Sequence, residues 1–401
     1  MVEKIILYFH VHQPFRLKKR GLFETSKEYF DEGMNRHYFE KAARQCYTKA
    51  NEILQQTIAN NPEFQINMSI TGTLIEQCQK YDEKILDSFI KLAETGNVEI
   101  VGETYYHSLA GLFKEEKEFE EQIKEHSEKI QEIFNQKPVT FRNTEVIYNN
   151  EIATRVKKLG FKNIITEGVE RILGYKSPNY LYESKSKLRL LMRNYRLSDD
   201  VGYRFSQKSW SEHPLTTEKY CKWVKEANGD IANIFLDYET FGEHHWQDTG
   251  ILEFLKYLPK ALNQEGINTT KIRDACDQLQ IMDEIDVPNT ISWADLERDE
   301  SAWLGNRMQK RIFRELEEIA EKVRKTNNKE IIHDYRKLQT SDHLYYLSTK
   351  SFDDQDVHNY FSPYKGQNPY ENFIDYANTL EHFKENIQEE TQDNRTEKVL
   401  I

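Results

Sequence analysis

The stretch Ile5-Ile6-Leu7-Tyr8-Phe9-His10-Val11-His12-Gln13-Pro14 decides the fold class of this chain. Its first five residues form a continuous apolar run, which is typical of a strand buried on both faces of a parallel sheet. Two histidines follow with one residue between them, so an extended chain points both to the same side. Pro14 then ends the strand, because its φ angle is fixed and it has no N–H to donate.

Further strand-length apolar runs alternate with longer helical patterns along the chain. The strand candidates are residues 5–9, 64–70, 98–101, 140–145, 163–166, 188–195 and 231–237. The main helical patterns between them are residues 38–59, 73–95, 115–134, 149–159 and 217–227. Repeated strand–helix units predict a parallel sheet with right-handed crossovers. About seven such units predict an α/β barrel that is closed or nearly closed.

The C-terminal part of the chain has a different pattern, which is helical and highly charged. Amphipathic segments occur at residues 301–325 and 371–389, and no Gly/Ser-rich or Pro-rich linker precedes them. We therefore expect two parts, a catalytic barrel over residues 1–250 and a helical region over residues 251–401. The helical region is expected to pack on the barrel and to complete the active site.

Composition and charge exclude several classes of partner. Lys and Arg total 55 and Asp and Glu total 67, a net charge of −12, which disfavours nucleic acids and anionic membrane surfaces. The four cysteines are widely spaced and form no C-x-x-C pair, as expected of reduced thiols. The N-terminal apolar run is too short for a signal peptide, so a cytoplasmic location is expected. Nothing in the sequence indicates an oligomeric state.

Polar residues capable of chemistry follow the strand candidates directly. These residues are His10, His12, Glu103, His107, Glu145 and Asp237. In α/β barrels the active site lies at the carboxyl ends of the strands, so this placement predicts a single site built from several strands.

Two of these strand ends carry carboxylates suited to catalysis. The first is in Thr140-Phe141-Arg142-Asn143-Thr144-Glu145, where strict alternation puts Glu145 on the same face as Asn143 and Arg142 on the opposite face. A carboxylate placed in this way can act as a nucleophile or as a structural group. In the segment from Phe235 to Trp246, Asp237 and Glu239 share a side, and two close like charges raise one of the two pKa values. Two carboxylates from different strands that face one cleft are what glycoside hydrolysis needs.

These motifs together resemble family 57 of the glycoside hydrolases, in its α-amylase-type branch. The resemblance covers nearly the whole chain and rests on five segments in order, namely His10-Val11-His12-Gln13-Pro14, Gly72-Thr73-Leu74-Ile75-Glu76-Gln77, Phe141-Arg142-Asn143-Thr144-Glu145, Asp237-Tyr238-Glu239-Thr240-Phe241-Gly242-Glu243-His244 and Leu338-Gln339-Thr340-Ser341-Asp342-His343. It implies a distorted (β/α)7 barrel followed by a packed C-terminal helical region. Thr73 and Ile75 depart from the residues that other members often have.

The resemblance also implies roles for individual residues. Glu145 would be the catalytic nucleophile and Asp237 the general acid/base of a retaining enzyme that cleaves α-1,4-glucosidic bonds in α-glucans or maltooligosaccharides, without a cofactor or a metal. The residues expected to bind substrate are His10, His12, Glu76, Glu103, His107, Glu239, His244, Trp246, Trp303 and Asp342. The two tryptophans are included because sugar rings pack on aromatic faces.

Three other functions stay open from the sequence. A 4-α-glucanotransferase would use the same carboxylates with a sugar in place of water. A metal-dependent polysaccharide deacetylase could use His10 and His12 as ligands, although no Asp precedes them in a suitable strand-end pair. A catalytically silent glucan-binding protein is disfavoured by the presence of both Glu145 and Asp237.

Overall fold

A computed structural model describes residues 1–21, 24–350 and 368–399, with side chains as far as residue 390. The chain forms two compact units. The sheet unit comprises Met1–Gln13, Arg36–Tyr105 and Ile123–Trp293. The helical unit comprises Pro14–Asn35, Tyr106–Gln122 and the described residues from Ala294 onward.

All the strands belong to the sheet unit and form two sheets. They are β1 (Lys4–Val11), β2 (Ile66–Ile70), β3 (Val98–Ile100), β4 (Thr140–Arg142), β5 (Asn163–Glu167), β6 (Leu181–Ser184), β7 (Arg189–Arg193), β8 (Ile231–Asp237), β9 (Asn268–Thr269) and β10 (Ile281–Ile285). One sheet has the order β3-β2-β1-β8, with β9 paired to β1, and the other has the order β10-β6-β7-β5-β4. The strand pairs are parallel except β6 with β7.

The predicted α/β class and the predominantly parallel pairing are confirmed, but the barrel is not closed. The two sheets approach at a parallel bridge between Gly102 and Phe141, and at a 2.8 Å bond from the Asn194 N–H to the Asn233 carbonyl. β3 and β4 are three residues long, so their pairing ends before a continuous ladder forms. The seven predicted strands correspond to β1–β5, β7 and β8. Sequence reasoning missed β6, β9 and β10.

The helices span both units. In chain order they are α1 (Glu32–Ala42), α2 (Thr48–Asn60), α3 (Gly72–Tyr81), α4 (Glu83–Glu94), α5 (Lys117–Phe134), α6 (Asn150–Lys158), α7 (Glu170–Leu173), α8 (Tyr195–Gly202), α9 (Thr217–Glu226), α10 (Ile251–Gln264), α11 (Ile272–Gln278), α12 (Ser301–Leu304), α13 (Arg307–Thr326), α14 (Lys329–Leu338), α15 (Ser341–Tyr345) and α16 (Pro369–Val399). A π-helical turn, Ala43–Tyr47, joins α1 to α2.

Strand β1 has two buried faces with different neighbours. The outer face of β1 carries Ile5, Leu7 and Phe9, which join the large cluster packed under the helices. The inner face carries Ile6 and Tyr8, which join a second cluster between the sheets. Because side chains alternate along a strand, His10 continues the inner face. Strand β1 therefore points a polar residue, His10, inward at its carboxyl end.

The helical unit contains the C-terminal helices that the sequence predicts. The predicted helix over residues 301–325 is divided at Gly305, and Asn306 starts α13 with a capping box that it shares with Gln309. Within this unit the fully buried Glu118 accepts from Arg324 at 3.3 Å and from Arg336 at 2.9 Å. This network compensates a charge that would be costly to bury alone.

The compact units differ from the predicted division after residue 250. The segment from Ile251 to Trp293 belongs to the sheet unit, because α10 packs on α2 and α9 and because β9 and β10 pair with strands of the two sheets. Completion of the active site by the helical region stays a prediction.

Two further findings bear on the predictions from composition. The four cysteines are buried free thiols, as expected. Within the described part of the chain, no helix combines the length and the apolar character needed to cross a membrane.

Asn67 on β2 ties three segments together and provides a test of the fold. Its buried amide donates to the carbonyls of Leu7 (3.2 Å) and Thr270 (3.1 Å) and accepts from the Ile272 N–H (2.8 Å). Asn67→Leu leaves these three backbone groups without their partner, so we expect a loss of about 3 kcal/mol or more in the free energy of unfolding. Urea denaturation of the parent protein and the variant measures this loss in the free energy of unfolding. Asn60→Leu, at an exposed helix end, is the control, and equal losses in the two variants would contradict the assignment.

Candidate active site

A histidine lies between two carboxylates at the inner end of β1. His10 Nε2 is 3.3 Å from Glu103 Oε2, and His10 Nδ1 is 3.4 Å from Asp237 Oδ1. His10 and Glu103 are buried, whereas the Asp237 side chain is 30% exposed. The imidazole therefore connects a fully buried carboxylate to one that solvent or a ligand can reach.

Arg142 adds a buried positive charge to the same place. Its NH1 lies 3.4 Å from His10 Nε2 and 3.8 Å from Glu103 Oε2, and its guanidinium lies 4.9 Å from the centre of the Trp293 ring. Strict alternation predicts that Arg142 and Glu145 point to opposite faces, but both contact Trp293, because the regular strand ends at Arg142.

Glu145 is directed by a turn and not by the strand. It lies in a 3-10 turn, Thr144–Val146, and has φ 55° and ψ 24°, with Val146 also at φ 55°. Such left-handed conformations cost on the order of 1–2 kcal/mol for residues with a Cβ atom. The turn is supported by Trp293, whose indole Nε1–H donates to Glu145 Oε2 at 2.8 Å.

Glu145 and Asp237 both influence one hydroxyl group. Tyr203 follows α8 and is 43% exposed. Burial of its hydroxyl, together with the charges of Asp199, Asp237 and Glu145, raises the pKa of Tyr203 above its ordinary value, although Arg193 opposes the rise. The charges of both carboxylates therefore contribute to the same shift in the pKa of Tyr203. No motif in the sequence had singled out Tyr203.

The two acids of the Asp237 segment have opposite pKa shifts. Burial favours a higher pKa for Asp237, but the hydrogen bond and the charge of His10, with the charges of His244 and Arg142, hold the pKa below its ordinary value. For Glu239, burial and the charges of Asp237 and Glu243 raise the pKa to about 8, although Tyr47 donates a hydrogen bond to its Oε1 at 2.5 Å. The predicted rise therefore falls on Glu239 and not on Asp237.

Tyr47, which bonds to Glu239, is the last residue of the π-helical turn. This turn widens the helix between α1 and α2, and Gly242, at φ 124°, lies against it. A Cβ atom on Gly242 would be 2.1 Å from the Gln45 carbonyl oxygen, so the close approach requires glycine. π-Helical turns occur often at functional sites, and sequence reasoning missed this one.

Three other expected site residues have defined surroundings in the sheet unit. His12 Nδ1 lies 3.0 Å from Thr71 Oγ1, and the ring of His12 stacks on that of His10 at 5.8 Å. Glu76 accepts a hydrogen bond from the Tyr105 hydroxyl at 3.0 Å. Burial lowers the pKa of His244 to about 4, with His245 and Lys41 adding to the effect and Asp237 opposing it, so the imidazole is neutral at pH 7.

Comparison with known proteins identifies the family. The model of "Glycosyl hydrolase family 57" matches residues 6–288. The chain belongs to glycosyl hydrolase family 57. It is 46% identical over 402 residues to a protein of Methanocaldococcus jannaschii named "Putative alpha-amylase", a match that covers 96% of this chain and 85% of that protein.

Solved structures of family 57 enzymes share the fold at low sequence identity. A branching enzyme of Thermococcus kodakaraensis matches with a TM-score of 0.68 and 13% identity, over 86% of each chain. The 4-alpha-glucanotransferase of Thermococcus litoralis matches with a TM-score of 0.66 and 15% identity, over 86% of this chain and 56% of that enzyme. The chain thus spans little more than half of the glucanotransferase. These matches support the (β/α)7-type barrel fold.

The remaining expected site residues of this family 57 chain differ in exposure. Trp246, in the sheet unit, is 62% exposed and offers a free ring surface to a ligand. His107, Trp303 and Asp342 belong to the helical unit. There Trp303 is 1% exposed and packs against Tyr345 at 6.2 Å, which favours a packing role over sugar stacking.

The raised pKa of Glu239 gives a prediction for stability. At pH values between the ordinary value of 4.5 and about 8, folding takes up a proton at this carboxyl, so its contribution to stability falls as pH rises, by up to about 1.4 kcal/mol per pH unit. Glu239→Gln removes this dependence. We expect the free energy of unfolding of the variant to fall less between pH 5 and pH 8 than that of the parent protein. Parallel curves from urea titrations, or the same flattening in the exposed Glu253→Gln control, would contradict the prediction.

Proposed function

We propose that this family 57 chain is a retaining glycoside hydrolase that cleaves α-1,4-glucosidic bonds in α-glucans. The observation that carries the proposal is a continuous set of contacts between Glu145 and Asp237, which come from distant parts of the chain. Glu145 bonds to Trp293, Trp293 lies against His10, and His10 contacts Asp237.

In the first step Glu145 acts as the nucleophile. Its carboxylate oxygen bonds to the anomeric carbon while the bond from that carbon to the glycosidic oxygen breaks. Asp237 transfers a proton to the departing oxygen, which becomes the free hydroxyl of the leaving glucan. The product of this step is a glycosyl ester on Glu145.

In the second step water replaces the ester. Asp237, now ionised, takes a proton from water as the water oxygen bonds to the anomeric carbon, and the carboxylate of Glu145 leaves. Each step inverts the anomeric carbon, so the α configuration is retained. If the hydroxyl of another glucan takes the place of water, the same chemistry transfers the sugar.

The acid function of Asp237 requires a proton, although His10 and neighbouring positive charges lower the Asp237 pKa. His10 contacts Asp237 on one side of its ring and buried Glu103 on the other, so the imidazole holds the Asp237 carboxyl in a defined position. A bound glucan would cover the exposed part of Asp237, and the added burial would favour its protonated form.

Several side chains of the sheet unit are suited to binding a glucan substrate. His10, His12, Glu76, Glu239 and His244 of the sheet unit offer polar groups, and Trp246 offers an exposed ring for an α-glucan. Glu103 is fully buried and contacts His10, which favours a supporting role over direct contact with a glucan. The roles of these residues, and those of His107, Trp303 and Asp342, stay predictions, as does the cytoplasmic location.

Incubation with maltoheptaose tests the reaction. We expect shorter maltooligosaccharides whose newly released reducing ends are first observed in the α configuration by proton NMR. Products longer than heptaose would indicate transfer as the main reaction. Absence of turnover, or release of acetate from an acetylated polysaccharide, would contradict the proposal.

Azide separates the roles of the two carboxylates. With an activated aryl α-maltoside, Glu145→Ala should be inactive alone and should give a β-glycosyl azide when azide is added, because azide attacks once, from the face that Glu145 occupied. Asp237→Ala should give an α-glycosyl azide, because two displacements still occur. NMR of the products distinguishes the anomers. Full activity of Glu145→Ala, or the opposite pair of configurations, would overturn the assignment.

A further inference from the structure

We infer that Trp293 is a positioning residue for Glu145, which it orients and keeps ionised through its indole N–H. The inference rests on the proposed role of Glu145 as nucleophile, and it adds a residue whose side chain had no expected function. The sequence predicts sugar stacking for Trp246 and Trp303 and assigns no role to Trp293.

The contact between the two side chains is short and direct. The Trp293 Nε1–H donates to Glu145 Oε2 at 2.8 Å. An indole N–H can donate but cannot accept, so this bond is compatible with an ionised carboxylate and stabilises its charge. It also fixes one oxygen of a side chain whose backbone has an uncommon left-handed conformation.

The backbone around Trp293 is paired to the backbone around Glu145. Tyr148 and Ile291 exchange two N–H to carbonyl bonds, each of 2.9 Å. The Trp293 N–H lies 3.4 Å from the carbonyl oxygen of Glu145 itself. The indole is therefore held by the same short antiparallel pairing that holds the turn, and its position relative to Glu145 is defined at both the backbone and the side chain.

Two arginines lie against the indole ring. The guanidinium carbons of Arg142 and Arg193 are 4.9 Å and 5.8 Å from its centre. Arg193 is fixed by Glu167 at 3.0 Å and by Asp199 at 2.6 Å. Cations near an aromatic ring are attracted by its electrons, and they draw electron density from the N–H, which makes it a stronger donor. The arrangement thus strengthens the bond from the indole N–H to Glu145.

This bond has two expected consequences for catalysis. It lowers the pKa of Glu145 relative to the same site without the donor, so Glu145 stays ionised at lower pH. It also stabilises the carboxylate that reappears when the glycosyl ester breaks down, which makes Glu145 a better leaving group in the second step.

The first experiment replaces Trp293 with Phe, which keeps an aromatic ring and removes the N–H. On an aryl α-maltoside we expect kcat to fall about 10- to 100-fold, as expected for the loss of a hydrogen bond to a charged group. The acidic limb of the kcat/KM profile should move to higher pH by about one unit. A merely structural residue would lower activity without moving this limb.

A matched variant controls for the loss of an indole. Trp223→Phe changes a partly buried tryptophan on α9 that packs against Trp210 at 6.1 Å. Its kcat and its acidic limb should equal those of the parent protein. An unchanged profile in Trp293→Phe, or the same shift in Trp223→Phe, would overturn the inference.

A second measurement does not depend on the folding of Trp293→Phe. The chain has five tryptophans, so indole-labelled protein gives five N–H signals by NMR. We expect the Trp293 signal to lie downfield, to titrate with Glu145, and to move upfield in Glu145→Ala, with the signals of Trp210 and Trp223 unmoved. A Trp293 signal that is unaffected by Glu145→Ala would also overturn the inference.

The two proposals fail in different ways. If Glu145→Ala keeps full activity, the proposed role of the nucleophile fails, whatever the indole signal does. If Glu145→Ala is inactive and rescued by azide while Trp293→Phe keeps the parent pH profile, the proposed function stands and the role of Trp293 is lost.

Discussion

The site depends on the compensation of charge on the inner face of the sheet unit. Glu103, Glu167 and Asp237 bring negative charge to strand ends, and Arg142 and Arg193 bring positive charge. A buried carboxylate without such partners would cost several kcal/mol or take up a proton. His10 lies among them and contacts both Glu103 and Asp237, so the position of the partly exposed carboxylate depends on that of the buried one.

The apolar faces of the strands make this compensation possible. β1 buries its outer face under helices and its inner face against the opposite sheet, so its direction and register are specified on both sides. The polar residues come after the apolar layers, at the ends where the ladder of hydrogen bonds stops. The short strands β3 and β4 leave the barrel unclosed near Gly102 and Phe141, close in sequence to Glu103, Arg142 and Glu145. Many of the residues proposed to act in the site thus lie where the sheets are least regular.

Much of the fold could be predicted, because most strands and helices have a local pattern of apolar and polar residues that indicates them. Apolar runs indicated seven of the strands, and helical periodicity indicated the helices between them. β10 could not be found in this way, because most of Ile281–Ile285 is exposed and its pattern lacks an apolar face. The residues at strand ends were also predictable, since parallel strands bring their carboxyl ends to one edge.

The finer geometry of the site could not be predicted, because it depends on departures from regular structure. Strict alternation separates Arg142 from Glu145, yet both contact Trp293, because Glu145 lies in a left-handed turn that no sequence period indicates. Tyr203 and Trp293 lie far from Glu145 along the chain, and no spacing rule connects them to it. The direction of each pKa shift could not be predicted from the sequence either, because it depends on which neighbours face each carboxyl group in the folded chain.

The π-helical turn has a consequence for how relatives of this chain are compared. Such a turn arises when one residue is inserted into an α-helix, and the extra residue is accommodated locally without rotating the helix beyond it. A relative that lacks one residue between Ala43 and Tyr47 would have a regular helix here, without the wide turn that carries Tyr47 and packs against Gly242. A one-residue gap in an alignment at this position would therefore point to a change in the surroundings of Glu239, even where every acidic residue is conserved.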